Sequence, residues 1–195
     1  MRLRTFITAA ATTAALCGSV LAAGSTDDPI ASLNHAIQDR FKDVDKLFGL
    51  RRIVVLGDTP HQFRPETVSE FAVVREIDEA GLRVAMYVAG RRVLEREPDL
   101  TTKVPFELNR RVIFGPVAVT DPVGLSGLPE AVDLIDEGRS AFRTLVRRDR
   151  YDFEKAGWTF TGRAIRASSK ECLTCHKDRS IGDPLGVVLY ASRPR

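Results

Sequence analysis

Cys172, Leu173, Thr174, Cys175 and His176 place two thiols and an imidazole within five residues. They spell C-x-x-C-H, the attachment signature of c-type haem. The spacing suits that chemistry. Two thiols about one helical turn apart can each reach a vinyl group of one porphyrin, and the next residue is a histidine that can ligate the iron on the same side. One motif implies one covalent haem c, with Cys172 and Cys175 forming the thioethers and His176 as the proximal ligand. Three other chemistries use the same residue types. A Cys172–Cys175 disulfide is open to a chain in an oxidising compartment. A thioredoxin-like redox pair wants the motif at the start of a helix, early in a βαβ unit. A zinc site wants a fourth ligand nearby, and the sequence holds no second Cys or His cluster.

The sixth iron position has few candidates, because the chain carries only three histidines and two methionines. His61 lies in a loop between two elements, where a side chain can swing over a face, and it is the candidate distal ligand. Its competing reading is a surface-loop histidine. His35 reads as a solvent residue, opposite an apolar stripe. Met86 could serve, although Val84 and Val88 beside it argue for core packing. An open sixth site is the third option. Arg163, Arg166 and Arg179 are candidate partners for haem propionates or, equally, solvated charges. Trp158 reads as a core aromatic or as a wall of the pocket.

The N-terminus bears on the compartment. Arg2 and Arg4 precede a run of mostly Ala, Thr, Ile and Leu, and small residues follow near 22. Residues 1–23 therefore read as a signal peptide, with an uncleaved anchor as the alternative. Export to the periplasm or beyond follows. Cys17 leaves with that segment, so both remaining cysteines lie in the motif. Residues 24–29 read as a linker and 30–195 as a single domain. Charge is nearly balanced, 29 basic residues against 26 acidic, and no basic run interleaves with aromatics. Nucleic acid is therefore not an expected partner. No second apolar stretch is long enough to span a bilayer.

The elements that must position the motif follow from periodicity. Residues 30–48 read as a helix, with Ile30, Leu33, Ile37, Phe41, Val44 and Phe48 on one stripe. Residues 52–56 read as a short strand and 59–64 as a loop. A helix over 66–80 has Pro65 at its first position and Gly81 past its end, with a strand over 71–77 as the alternative. Residues 82–89 alternate as a strand, and 92–95 continue the sheet. Residues 96–110 are loop. Residues 112–119 form a strand that Gly115-Pro116 marks as an edge or a bulge, and 121–127 are loop. Residues 129–147 form a second helix with Val132, Ile135, Phe142, Leu145 and Val146 on one face. Residues 150–154 and 158–167 are strands joined at Lys155-Ala156-Gly157. Ser168 and Glu171 match a capping box that would start a helical turn at the motif. A turn at 181–184 leads to a last strand, 186–191.

The stretch from Arg163 to Ala191 resembles exported haem-c proteins with a PAS-like or Cache-like sheet, described as haem-binding domains of unknown function. In that family a strand leads into C-L-x-C-H, a short loop follows, and Gly-Asp-x-x-Gly opens a last strand. Here these read Cys172 to His176, then Gly182-Asp183-Pro184-Leu185-Gly186 and Val187-Val188-Leu189-Tyr190. The resemblance covers about the last thirty residues. It implies an α+β fold, an antiparallel PAS-like sheet flanked by helices with C-x-x-C-H between two strands. It also implies a small redox or sensor-like protein. The expected function is electron transfer with an unspecified redox partner. A haem-based redox or gas sensor acting through a partner is the alternative. An enzyme such as a peroxidase would press His61 and Arg64 into a distal acid–base role, for which the sequence offers little.

Overall fold

The computed structural model describes residues 28–42, 61–95 and 113–195. The signal segment, most of the linker, residues 43–48 of the first helix, the strand at 52–56 and the loop at 96–110 lie outside them.

Helix α1 (Pro29–Lys42) begins where the sequence places it. Asp28 caps it, accepting hydrogen bonds at Oδ1 from the amides of Ile30 (3.0 Å) and Ala31 (3.3 Å). Its stripe of Ile30, Leu33 and Ile37 is buried. Helix α2 (Val68–Glu79) starts later than expected. Pro65 precedes it, and the helix is opened by a capping box between Thr67 and Glu70. That signal was present in the sequence, with Thr67 directly before the helical run and Glu70 three residues after Thr67. Gly81 follows the helix at φ +65°, as a C′ glycine should.

Five strands follow: β1 (Leu82–Gly90), β2 (Phe114–Ala118), β3 (Tyr151–Lys155), β4 (Trp158–Arg166) and β5 (Pro184–Pro194). They form one antiparallel sheet in the order β2-β1-β5-β4-β3. β2 is an edge strand, and its pairing with β1 is irregular between Met86 and Val88, as Gly115-Pro116 suggested. The expected continuation of the sheet at 92–95 is overturned. Arg91–Leu94 form a short helix, α3, that buries Arg91 and Leu94. The second long helix also differs. A 3₁₀ turn, Ala131–Leu134, precedes α4 (Ile135–Leu145), so Leu134 is buried while Val132 and Val146 face solvent. Helix α5 (Lys170–Cys175) carries the motif between β4 and β5.

The sheet is covered on both faces. Leu33, Ile37 and Ile77 of α1 and α2 pack on Val84, Met86, Val188 and Tyr190. Phe142 and Leu145 of α4 pack on Tyr87, Phe160 and Leu189. β1 and β5 therefore bury both side-chain faces, and the alternation in β1 separates two cores, not core from solvent. The fold is α+β, a PAS-like antiparallel sheet flanked by helices. Among the described residues no helix is long and apolar enough to cross a membrane.

A buried ion pair ties α1 to α2. Arg40 donates from Nε to Glu70 Oε1 (2.5 Å) and from Nη2 to Glu70 Oε2 (2.8 Å), with side-chain exposures of 11% and 4%. The same carboxylate accepts from the amides of Glu66 and Thr67. Burial pushes the Glu70 carboxyl up, but Arg40 and the two amides outweigh it and hold the group below its ordinary value. Removing one partner strands the other charge, so Glu70→Ala should cost about 3 kcal/mol in urea unfolding, with the m-value unchanged. A lowered carboxyl adds stability above the unfolded-state value, and that stability is lost as pH falls through the native one. The gap between wild type and variant should therefore close in acid.

Candidate functional site

β4 and β5 form a long hairpin whose tip carries the motif. Its neck is closed by the Gly182 amide donating to the Ala167 carbonyl (2.8 Å) and the Ala167 amide donating to the Asp183 carbonyl (2.9 Å). The Gly-Asp-x-x-Gly segment has a physical basis at each of its named residues. Gly182 sits at φ +94°, a conformation that disfavours a side chain. The Asp183 carboxylate accepts from the Ser180 amide (2.8 Å) and closes the turn. A Cβ on Gly186 would lie 2.6 Å from the Ala89 carbonyl oxygen, so only glycine allows β5 to pair with β1 here.

Beyond the neck, α5 presents the motif outward. None of its residues is buried. Cys172 is half-buried and Cys175 exposed, and both thiols are free. The helix ends at Cys175, and the His176 amide still donates to the Cys172 carbonyl (3.2 Å). One turn thus separates the first cysteine from the histidine, as the sequence predicts. The expected capping box is corrected. The N-cap is Ser169, not Ser168, and its side chain makes no cap hydrogen bond. Both serine hydroxyls lie instead near Cys172 Sγ, Ser168 at 3.9 Å and Ser169 at 3.7 Å. Burial raises the Cys172 thiol, but the hydrogen bonds from Ser168 and Ser169 outweigh it and hold it below the ordinary thiol value.

His176 is half-buried, and its Nδ1 is buried without a hydrogen-bond partner. Burial lowers its pKa, and Arg91, Arg92 and Arg179 lower it further against the opposing pull of Asp178. At neutral pH the imidazole is therefore neutral, the form that binds a metal. The donor set fits a porphyrin better than a lone ion. Among the described residues no three His, Cys, Asp or Glu side chains converge as a metal cluster. Haem c needs no such convergence, because its thiols bind the macrocycle and only the imidazole binds iron.

The loop after the motif is fastened to α3 by charge. Arg91, 8% exposed, grips the Asp178 carboxylate with two nitrogens, at 2.7 and 2.9 Å, and also reaches Glu95 (3.0 Å). Arg179 pairs with Glu95 and lies 3.7 Å from Asp178. No spacing in the sequence joins Arg91 to Asp178, which are 87 residues apart.

The other candidates are dispersed. Arg166 donates to the carbonyls of Gly182 (3.0 Å) and Leu145 (2.8 Å), tying the neck to the end of α4. Arg163 donates to the Asp149 carbonyl (3.0 Å). Both line a cleft of about 380 Å³ that α1 closes with Asn34, Gln38 and Lys42 and that reaches Ser168. Arg179 belongs to the α3 network. His61 sits beside the sheet edge. Its carbonyl accepts from the Ala118 amide (2.8 Å), its ring lies 4.8 Å from that of Phe114, and its Nδ1 is buried without a partner. β1 lies between that edge strand and β5, and the segment of His61 bridges β2 on its outer side, which sets it three strand spacings, roughly 14 Å, across the sheet from the motif's return strand. Met86 is fully buried in the centre of β1. Trp158 is also core, at the opposite end of β4 from the motif, under the Arg193 guanidinium (4.2 Å). His35 is exposed beside Asp39.

No protein-family model matches the chain, and no curated protein or solved structure matches it either.

Cutting the Arg91–Asp178 grip should loosen the lobe but not the sheet. In Asp178→Ala, amide hydrogen exchange should quicken across residues 168–181 and stay at the wild-type rate in the centres of β4 and β5. Uniform acceleration throughout the chain would contradict a local fastening. The His176 ring, followed by NMR in the haem-free chain, should titrate below the usual histidine value of about 6.5 and move upward in Arg92→Gln.

Proposed function

We propose that this chain is an exported single-haem c-type protein that transfers electrons. The observation that carries the reading is the state of the motif. C-x-x-C-H lies on a short solvent-facing helix with free thiols and a neutral imidazole one turn on. Cys172 and Cys175 would hold the porphyrin edge, and His176 would bind its iron. Bound haem supplies reversible one-electron chemistry at that iron. The protein's part is to hold the group at the tip of a hairpin, where a partner can approach. The neck bonds at Ala167, and the Arg91, Asp178, Glu95 and Arg179 network, fix the lobe against the sheet. Export, expected from residues 1–23, would place the chain where c-type haem is attached and kept.

A second reading has its own support in the PAS-like sheet, which favours a haem-based redox or gas sensor acting through a partner. The two differ at the sixth iron position. His61 is the proposed distal residue for electron transfer, because it is the spare buried imidazole nitrogen in the described chain.

The test is expression in a host with a haem-ligation system. The secreted chain should gain the mass of one haem, and Cys172→Ala/Cys175→Ala should gain none. An unmodified wild type would refute the proposal. The iron should be six-coordinate and low-spin, turning high-spin in His61→Ala. A spectrum unchanged by that substitution would remove His61 as a ligand, and rapid carbon monoxide binding by the wild type would favour the sensor.

A further inference from the structure

The charges of this chain are separated in space although they nearly balance in number. Arg92, Arg147, Arg148, Lys170 and Lys177 are exposed. None of the five makes an ion pair with a described residue. All lie at the motif end of the sheet. Lys170 and Lys177 flank the motif itself, and Arg92 is close enough to depress His176. Arg147 and Arg148 follow α4, whose end Arg166 binds to Gly182 at the lobe's neck. Exposed carboxylates lie there too, but Asp149, Asp178 and Glu95 are paired with Arg166, Arg91 and Arg179, which leaves Glu171 against the five cations. Others lie at the far end. Glu130, Asp133 and Asp136 are exposed around the cleft beside the β3–β4 turn. That turn adjoins Trp158, eight residues and about 26 Å of strand from Arg166.

The basic end also carries exposed apolar surface. Val146 is 52% exposed and Ile181 is 56% exposed. Each adjoins a residue whose carbonyl accepts from the same Arg166 guanidinium, Leu145 for Val146 and Gly182 for Ile181. Apolar residues within a charged rim are the anatomy of a transient protein interface.

We infer that this end of the molecule is the docking surface for an acidic partner protein, which meets the chain over the motif lobe. Unpaired cations in excess draw an anionic surface from a distance and orient the approach, motif end first, because the far end repels it. The geometry favours a protein over a membrane. The cations come from three separate segments, one of them the projecting lobe, not from one face of an amphipathic helix. That the partner exchanges electrons rests on the haem reading above; the charge distribution does not.

The test uses the full haem-loaded chain and two probes. Poly-L-glutamate should bind saturably, and Arg147→Glu/Arg148→Glu or Lys170→Glu should weaken it by about tenfold or more, as should screening by salt. Glu130→Lys/Asp136→Lys should leave it unweakened. Oxidation of the reduced protein by ferricyanide, in which one electron passes from the haem iron to the anion, should slow as salt is added. Thermal melts of each variant identify any that fails to fold, and the variants at separate sites back one another. Binding weakened equally by substitutions at both ends would overturn the inference. So would tighter binding to phosphatidylglycerol vesicles than to poly-glutamate, self-association through the two opposite ends, or a ferricyanide rate that rises with salt. The poly-glutamate titration reads the surface with or without haem. A missing haem adduct would therefore sink the electron-transfer reading alone.

Discussion

β5 is paired on both sides and buried on both faces, and the position of the motif depends on that constraint. A strand so enclosed cannot slip, because a one-residue shift would turn Val188 and Tyr190 out of one core and Leu189 out of the other. The close approach of Gly186 to the Ala89 carbonyl fixes where pairing begins. The hydrogen bonds between Ala167 and residues 182 and 183 then fix where the chain leaves β4 and returns. Residues 168–181 are left to fold outside the sheet, on a base that has no freedom of its own. A reactive motif gains from this arrangement. It is open to solvent, yet its attachment points are hydrogen-bonded to each other where the two strands leave the sheet.

Two ion pairs do different work around that sheet. The Arg40–Glu70 pair is enclosed and joins two helices that pack on the same face, and its carboxylate also serves as the N3 partner in the α2 capping box. Its removal would strand a charge in the interior. The Arg91–Asp178 pair is lopsided, a buried guanidinium holding a carboxylate that is 59% exposed. It restrains a surface lobe and contributes to the field around His176. Burial first, and then Arg91, Arg92 and Arg179 against the opposing pull of Asp178, hold that imidazole below the ordinary histidine value, and its Nδ1 has no hydrogen bond. Of these cations Arg92 is exposed and unpaired, and with Arg147, Arg148, Lys170 and Lys177 it sets the charge that a partner would meet. Local pKa control and long-range steering thus meet at Arg92.

The motif and most elements are legible in the sequence because both are local. C-x-x-C-H needs only five consecutive residues, and the helix under it needs only its own hydrogen bonds. The strands at 82–89 and 158–167 show in their alternation and turn residues, and the edge position of β2 in Gly115-Pro116. Where local signals compete, the reading fails for a visible reason. Ser168 and Glu171 match a capping pattern, but the chain enters α5 one residue later and the hydroxyls turn toward Cys172. Thr67 and Glu70 match the same pattern and do cap a helix, since Glu70 is also held by Arg40 from another helix. Residues 92–95 look like more strand, but Arg91 to Leu94 form a helix, in which Arg91 holds Asp178 and Leu94 packs into the core under α4.

By itself the sequence determined the donor atoms, their order and spacing and the α+β alternation, since each is set by near neighbours along the chain. Only the tertiary structure decided that Met86 and Trp158 are core, that His61 lies beside the sheet edge and that Arg91 grips the loop after the motif. It alone gathered the unpaired cations of three segments at one end. Those outcomes depend on strand order and on which side chains meet across the sheet, and the free energy of such contacts belongs to residues dozens of positions apart.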